Sequence, residues 1–413
     1  MKHPPVAIMC MPTLRALLVA APYTTGKTRE PATFNPTKLN TTQWFDSITG
    51  LGANIAILTA KHGCGFTLWP TDATLPDGLP YGYSVGAAGA AIQRDVLREF
   101  VESASGAGVG YGFYYSIMKS FYLCHSFSGQ NSCMDKVLPG QHNFTAEQYS
   151  DIVRQHVTEL WTKYGQLTEV WVDSGLGGMG NLMTQLQPQA VGTPANPTGW
   201  CGTESGYPSR DVGPQDVWST GGGYHGDPNS SQWNPKFCDP QLFQDHVWFW
   251  EPNLKVRDLA TMIPIYHDIV GRGMVMELAF SIDREGLVED THEAVYKQLG
   301  AWVRECYGSP VGSTSGSGHE FSWRAWQPFD RLVLEEDLVL GQRVRNYSVE
   351  LKAAAGGAPW VPIARGGAIG RKRIHLLPAV HAANATLRLR VAAAMSTPVF
   401  KSMGAFAPCR TDL

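Results

Sequence analysis

Two acidic side chains stand where catalytic carboxylates are expected in an enzyme. Asp173 ends the apolar run EVWVD at residues 169–173, and a glycine-rich stretch follows it. A carboxylate at the carboxyl end of a buried strand is where (β/α) barrels place catalytic groups, although a helix cap or turn residue is the simpler interpretation. Glu204 lies in WCGTESGY, within a long loop, between Trp200 and Tyr207.

Such a pair can cleave a glycosidic bond with retention of configuration. One carboxylate attacks the sugar and the other protonates the leaving oxygen, at a separation of about 5–5.5 Å. A rigid strand end suits a nucleophile, and a partly apolar loop can raise the pKa of a proton donor. Asp173 fits the first role. For the second role Asp216 and Asp239 compete with Glu204, and each could be an ordinary hydrogen-bond acceptor in a loop.

A second concentration of functional side chains lies in LTAKHGCGFTLWPT, residues 58–71. It also begins as an apolar strand and ends in polar groups. His62 could donate a hydrogen bond to a sugar hydroxyl, and Trp69 could stack on a sugar ring. A lone histidine is more often structural, but its place at the carboxyl end of a predicted strand favours a functional role. Lys61 could pair with a neighbouring carboxylate.

The elements that would position these residues alternate between strands and helices from about residue 34 to residue 306. Predicted strands are 54–60, 109–116, 169–173, a strand that starts with QAVGTP, and MVMELAF. Predicted helices are 41–50, 89–105, 145–164, 254–271 and 285–306, with a helical turn at LMTQLQP. Repeated β-then-α units are typical of a barrel or a doubly wound sheet, and evenly spaced loops after the strands favour the barrel. The long loop at residues 195–253 is typical of a functional segment.

The pattern changes near residue 308. GSPVGSTSGSGH, residues 308–319, predicts a flexible Gly/Ser linker. Beyond it, short alternating runs separated by turns predict a β-sandwich at residues 320–413. The predicted domains are therefore an atypical N-terminal segment at 1–32, a catalytic (β/α) barrel at 33–307, the linker, and the sandwich.

Composition limits the class of protein. The 413 residues are 43% hydrophobic and 17% charged, which suffices for a large domain and a smaller one. A net charge of −3 without a basic stripe argues against nucleic-acid binding, and no uncharged apolar run is long enough to predict a membrane span. The thirteen tryptophans could serve sugar binding or simply form a Trp-rich core.

Eight cysteines and five Asn-X-Ser/Thr sequons favour a secretory route. The sequons begin at Asn40, Asn143, Asn229, Asn346 and Asn384. Cys124 and Cys133 lie close together in a polar loop and predict a disulfide, and Cys201 and Cys238 could pair similarly; buried free thiols are the alternative. The apolar start of the chain lacks a clean signal-cleavage site. We nevertheless expect a secreted or lumenal glycoprotein, extracellular or lysosomal/vacuolar.

Six sequence segments together indicate a protein family, although each one alone is a weak signal. They are FNPTKLNTTQW, LTAKHGCGFTLWPT, EVWVDSG, WCGTESGY, WNPKFCD with WFWEP, and VGRGMVMELAFSIDREGLV. Over about residues 33–306 they resemble glycoside hydrolase family 29, the α-L-fucosidases, most closely the α-1,3/1,4 branch. The tail FDRLVLEEDLVLGQRVRNYSVEL resembles the sandwich of that family. The resemblance implies a (β/α)8-like barrel with a C-terminal β-sandwich that releases terminal fucose from fucosylated oligosaccharides or glycoproteins, without cofactor or metal.

The resemblance also assigns roles to individual residues. Asp173 matches the family's nucleophile, and Glu204 matches the acid/base of the α-1,3/1,4 branch. His62, Trp69 and Trp171 match positions that line the fucose pocket.

Three departures from the family pattern bear on activity. Gly63 and Cys64 stand where a second histidine and an aspartate are usual, and Phe237 replaces a glutamate. The family's first-strand motif, which carries a pocket histidine, is not found in residues 1–32. That strand could be missing or replaced by VAIMCM or ALLVAA, and its loss would expose a sheet edge. Two alternatives therefore stay open: a catalytically impaired protein that binds fucosylated glycans, and an α-L-galactosidase-like glycosidase.

Overall fold

The computed structural model describes most of the chain. The described residues are 14–19, 30–117, 119–126, 141–173, 175, 177–194, 196–203, 205–208, 215–244, 247–354 and 357–409. Their N-terminal part is an α/β unit around a parallel sheet, and their C-terminal part contains two antiparallel sheets. No helix within these ranges is long and apolar enough to cross a bilayer.

The first nine strands belong to the α/β unit. They are β1 Leu14–Val19, β2 Ile55–Lys61, β3 Gly110–Ser116, β4 Lys119–Ser120, β5 His125–Ser126, β6 Glu169–Asp173, β7 Gly199–Trp200, β8 Lys236–Cys238 and β9 Val275–Ser281. Seven of them form one sheet in the order β6-β3-β2-β1-β9-β8-β7, in which every neighbouring pair is parallel. Their carboxyl ends therefore meet at one edge.

Helices cover this sheet where the sequence predicts them. They are α1 Thr41–Leu51, α2 Val96–Gly106, α3 Ala146–Thr162, α4 Gly180–Leu186, α5 Leu259–Ile269 and α6 Asp290–Tyr307. The Asp95 side chain accepts a hydrogen bond from the backbone of Arg98, so α2 begins later than the predicted residue 89. A capping box between Thr145 and Gln148 starts α3.

The first-strand position of the sheet is filled. In β1, Leu17 pairs with Ile57 of β2 on one side and with Ala279 of β9 on the other. This strand overlaps the ALLVAA candidate, whereas VAIMCM lies outside the described residues. β1 thus occupies the place of the first strand, with a parallel neighbour on each side, and the expected open edge between β2 and β9 is absent from the described sheet.

The expected eightfold barrel is only partly seen. In place of the predicted QAVGTP strand, Val191 forms a single parallel bridge with Glu169 beside β6. The described pairings do not join this bridge to β7. A contact across the sheet shows that it nevertheless curls strongly. The Trp171 indole nitrogen on β6 lies 3.2 Å from a Glu277 carboxylate oxygen on β9, although three strands separate β6 from β9 in the sheet.

The C-terminal antiparallel sheets agree with the predicted sandwich. Their strands are β10 Gly312–Ser317, β11 Glu320–Ala325, β12 Phe329–Glu336, β13 Val344–Lys352, β14 Val361–Gly366, β15 Arg373–His381, β16 Ala385–Ala394 and β17 Val399–Phe406. The sheet orders are β10-β17-β12-β15 and β11-β16-β13-β14. The flexible-linker prediction for 308–319 is wrong where β10 forms, because β17 supplies its backbone hydrogen-bond partners.

Disulfides join distant parts of the described chain. Cys201 pairs with Cys238, as predicted. Cys306 at the end of α6 pairs with Cys409 beyond the last sandwich strand, a bond that the sequence analysis missed. Cys124 is disulfide-bonded, while its predicted partner Cys133 lies outside the described residues.

Candidate active site

Asp173 lies at the carboxyl end of β6 and is held there by a tyrosine. The Tyr114 hydroxyl donates a hydrogen bond to Oδ2 of Asp173 over 2.7 Å. Ser116 of β3 is in register with Asp173, so Tyr114 is its diagonal neighbour on the same sheet face. Burial, followed by the negative charge of Asp173, raises the pKa of Tyr114 well above its ordinary value, so the phenol stays a hydrogen-bond donor.

The Trp171 side chain lies beside Asp173. It is two residues earlier on β6 and therefore shares its face. Its ring lies 4.9 Å from the Tyr114 ring and 6.0 Å from the Phe237 ring. Its indole nitrogen donates to Glu277, a fully buried carboxylate on β9. The sequence analysis missed Glu277, although a single charge inside the apolar run MVMELAF was a usable signal.

His62 completes this group from the end of β2. Its ring stacks on Tyr114 with centroids 5.7 Å apart and an interplanar angle of 12°, and Phe249 approaches it edge-on at 5.1 Å. His62, Trp171 and Asp173 are all only half-buried, so a ligand can reach them. The structure thus brings together three of the predicted site residues around Tyr114.

Lys61 lies at the end of β2, next to His62 in the chain, and its charge interacts with Asp173. The Lys61 Nζ atom lies over the Tyr115 ring, 4.7 Å from its centroid. The pairing register of β2 with β3 shifts between Thr59 and Lys61. The fully buried Lys61 ammonium donates to the Ser116 carbonyl over 2.5 Å. Burial lowers the pKa of Lys61 to about 7, against opposing interactions with Cys64 and Asp173. The lysine therefore ties the carboxyl ends of β2 and β3 together.

Trp69 does not join the predicted site. Its side chain is fully buried, and its indole nitrogen donates to Glu159 of α3 over 2.7 Å. The His156 ring packs against it in an edge-on geometry at 5.2 Å. No ring face is exposed for a sugar to stack on, so the structure gives Trp69 a core role in joining its loop to α3.

Asp216 and Asp239, the two alternatives to Glu204, have different surroundings. Oδ2 of Asp216 accepts from the Gly367 backbone over 2.6 Å, and Arg373 lies 3.1 Å from its other oxygen, so Asp216 belongs to the contact with the sandwich. Asp239 follows β8, is 6% exposed, and contributes a negative charge that raises the pKa of Tyr114. Of these two, Asp239 is the carboxylate whose charge acts on Tyr114 of the Asp173 group.

Glu204 itself lies outside the described residues, but the residues around it are fixed. Cys201 is bonded to Cys238, and the hydroxyls of Thr203 and Ser205 are 2.7 Å apart. Gly206 has φ of +63°, and a Cβ built on it would lie 2.1 Å from Cα of Pro240. Only glycine permits this contact, which seats the WCGTESGY loop against the end of β8.

Other features of the described residues lie apart from this group. A cavity of about 760 Å³ between α1 and α2 is lined by residues such as Asp46, Arg94 and Glu102, and by none of the strand-end residues above. Within the described ranges, no cluster of three His, Cys, Asp or Glu side chains has an arrangement that could hold a metal ion.

Comparison with known proteins establishes the family. The sequence matches the α-L-fucosidase family over residues 29–308, which is more than half of the chain. The chain belongs to the α-L-fucosidases, glycoside hydrolase family 29. The predicted enzyme class is thereby confirmed.

The similarity to known proteins extends beyond residues 29–308. Alpha-L-fucosidase 1 of Arabidopsis thaliana is 27% identical over 450 residues, covering 92% of this chain and 81% of the relative. A glycoside hydrolase 29 family member from a rumen bacterium matches with a TM-score of 0.79 at 22% identity, over 100% of this chain and 78% of that one. A Ruminococcus gnavus fucosidase in complex with fucose matches with a TM-score of 0.76 at 16% identity, over 99% and 95%. At these identities the structures show a shared fold.

Proposed function

We propose that this protein is a retaining exo-α-L-fucosidase that acts on terminal α-1,3 or α-1,4 fucosyl linkages of oligosaccharides or glycoproteins. The observation that carries the proposal is the half-buried Asp173 at a strand end, oriented by the Tyr114 hydroxyl. The linkage preference rests on the WCGTESGY motif around Glu204, which resembles that of the α-1,3/1,4 branch.

In the proposed reaction Asp173 attacks the anomeric carbon of fucose. The bond to the leaving oxygen breaks as Glu204 donates its proton, and a covalent fucosyl–Asp173 intermediate forms. Glu204 then takes a proton from water, whose oxygen attacks the same carbon and releases Asp173 as the carboxylate. Two inversions at that carbon give net retention.

The surrounding residues suit a sugar ligand. Trp171 offers an aromatic surface to the CH faces of a sugar ring, and His62 offers a ring nitrogen to a hydroxyl. Tyr114 occupies one nucleophile oxygen with a hydrogen bond, which orients the carboxylate before substrate arrives. Each of these contacts comes from a different strand or strand end, so the sheet keeps their spacing rigid.

Neither alternative function gains support from the described residues. The glycan-binding alternative assumed a pocket damaged by the missing first strand, and β1 fills the position of that strand. The α-L-galactosidase alternative depended on a pocket altered at Gly63 and Cys64. Cys64 is a fully buried thiol, and the Gly63 carbonyl accepts from the Phe121 backbone, so both positions are packed away from solvent.

The cellular location is a further proposal. The Cys201–Cys238 and Cys306–Cys409 disulfides support a secreted or lumenal protein, because such bonds persist in oxidising compartments. The sequon asparagines at 40, 143, 229, 346 and 384 are all exposed, which suits a glycoprotein.

The test compares wild-type protein with Asp173→Ala on an aryl α-L-fucoside and a Lewis-type trisaccharide. We expect fucose release by the wild type as the α-anomer, detected by NMR before mutarotation. Asp173→Ala should lower kcat by several orders of magnitude while circular dichroism stays unchanged. Asp216→Ala, which removes a carboxylate from the sandwich contact, is the matched control. Near-normal turnover by Asp173→Ala, or release of the β-anomer, would contradict the mechanism.

A further inference from the structure

An aromatic ring lies against the WCGTESGY loop. The ring belongs to Tyr224, and a Cβ built on Gly202 of the loop would lie 2.5, 2.6 and 2.7 Å from three of its atoms. Three nearly equal distances place the glycine over the face of the ring rather than beyond its edge. Gly202 also has φ of +84°, so a side chain there would be strained as well as obstructed. A glycine therefore stands where the ring packs on the loop.

The other side of this ring is open to solvent. Tyr224 is 50% exposed. Because Gly202 covers one face, the exposed part lies on the opposite face and at the hydroxyl end. Among the described residues of the α/β unit, it is the one exposed phenylalanine, tyrosine or tryptophan side chain. A single exposed ring is ordinary on a protein surface, so its support and its position decide what it does.

The segment that carries Tyr224 is fixed before and after the ring. The Trp218 backbone donates to the His225 carbonyl over 2.7 Å. The Arg345 guanidinium of the sandwich lies over the Trp218 ring, 4.7 Å from its centroid, and Arg345 Nε donates to the Pro228 carbonyl over 2.7 Å. A ring that is already held in place loses little conformational entropy when a ligand stacks on it.

The position of the ring follows from β7. Gly202 is two residues beyond Trp200, the last residue of β7. Trp200 packs against the same buried cluster as Trp171, the side chain beside Asp173. The carboxyl ends of β6 and β7 lie at the same edge of the parallel sheet, so the loop under Tyr224 begins beside the nucleophile. Tyr224 therefore lies at the rim of the candidate active site.

The proposed reaction determines which part of the substrate reaches this rim. In that reaction Glu204 protonates the leaving oxygen, so the sugar that carries this oxygen must lie against the Glu204 loop. Gly202, under the ring, is two residues from Glu204 in the chain. A pyranose has CH groups on its faces and hydroxyls around its edge. Tyrosine suits such a ligand, because it combines an apolar ring face with a polar hydroxyl.

We propose that Tyr224 stacks on the sugar from which fucose is released, and that the enzyme thereby selects fucose linked to a pyranose over fucose linked to a small leaving group. This inference rests on the proposed function. It assigns Tyr224 a contact with the leaving sugar, whereas Asp173, Trp171 and His62 contact the fucose.

The experiment compares Tyr224→Ala and Tyr224→Phe on a Lewis-type trisaccharide and on α-L-fucosyl fluoride, whose leaving group is not a sugar. For Tyr224→Ala we expect kcat/KM to fall roughly tenfold on the trisaccharide, the scale of covering one face of an aromatic ring. On the fluoride it should stay within about twofold, because nothing stacks there. Tyr224→Phe keeps the ring and should stay within about threefold on both substrates.

The matched control is Trp326→Ala, which removes a 61% exposed ring from the sandwich. It should leave kcat/KM unchanged on both substrates. The pH profile of kcat/KM on the trisaccharide separates stacking from loop support. A displaced Glu204 would move the alkaline limb of the profile, whereas loss of a stacking contact lowers the whole profile without moving it.

Each other outcome overturns the inference. An equal loss on both substrates, or a moved alkaline limb, would show that Tyr224 only supports the WCGTESGY loop. A loss in Tyr224→Phe as large as in Tyr224→Ala would assign the contact to the hydroxyl instead of the ring face. An unchanged kcat/KM of Tyr224→Ala on the trisaccharide would exclude the contact. Wild-type protein that releases fucose from neither substrate would refute the proposed function itself, a result that is read without any Tyr224 variant.

Discussion

The buried Lys61 gives the stability of this protein a defined pH dependence. Its pKa is about 7 in the folded chain, against an ordinary value of 10.5, chiefly because burial disfavours the charged ammonium. Between those two values the unfolded chain binds a proton at this position that the folded chain does not. The free energy of unfolding therefore rises with pH across this window. Below the window the folded chain also carries the charge, so the full cost of burying the ammonium lowers the stability.

The magnitude follows from the size of the window. Each pH unit between the two pKa values contributes up to about 1.4 kcal/mol. Lys61→Met keeps the length and apolar stem of the side chain but cannot titrate. From pH 7 to pH 9, wild-type protein should gain up to roughly 3 kcal/mol of unfolding free energy relative to Lys61→Met. The difference between the two proteins cancels all titrations that they share.

The assay is urea unfolding followed by tryptophan fluorescence, at constant ionic strength and at half-unit steps from pH 6 to pH 9. Lys236→Met is the matched control, because the ammonium of Lys236 is also buried and donates to the Gly221 carbonyl over 2.9 Å. Burial lowers the pKa of Lys236 to only about 8, so its pH dependence should begin about one unit later.

A flat difference between wild type and Lys61→Met from pH 7 to pH 9 would refute the reasoning. It would mean that Lys61 stays protonated in the folded chain. The ammonium–carbonyl contact with Ser116 would then outweigh the burial cost.

Two further substitutions separate catalytic from structural roles. Tyr114→Phe removes the hydrogen bond to Asp173 and should lower kcat about 10- to 100-fold with an unchanged circular dichroism spectrum; an unchanged kcat would show that the phenol does not orient the nucleophile. Trp69→Phe leaves Glu159 short of one donor and should lower the free energy of unfolding by about 1–3 kcal/mol with an unchanged KM for the aryl fucoside. A raised KM without loss of stability would instead place Trp69 against the sugar.

Features that depend on short stretches of sequence were predictable. The apolar run EVWVD, ended by glycines, identified both β6 and Asp173 as a strand-end carboxylate. Periodicity and caps located α3 and α6 to within a few residues, because helix signals lie within the helix and its immediate flanks. The order of the six segments indicated the family before any contact was known.

Features that depend on a distant partner were not predictable. Gly312–Ser317 is rich in glycine and serine, yet it forms β10 because β17 supplies a hydrogen-bonded edge. The Cys306–Cys409 disulfide joins cysteines 103 residues apart, and sequence spacing favours no pairing at that distance.

The clearest contrast lies between side chains of the same type. The sequence alone determined the alternation of strands and helices and the carboxylate at the end of β6, because these properties are set by residues that are neighbours in the chain. Only the tertiary structure decided that Trp171 lies beside Asp173 while Trp69 is buried against α3. It also decided that Asp239 accepts from the Trp200 indole while Asp216 accepts from the Gly367 backbone. A side chain's chemistry is local, but its partners are fixed by how distant strands pack against one another.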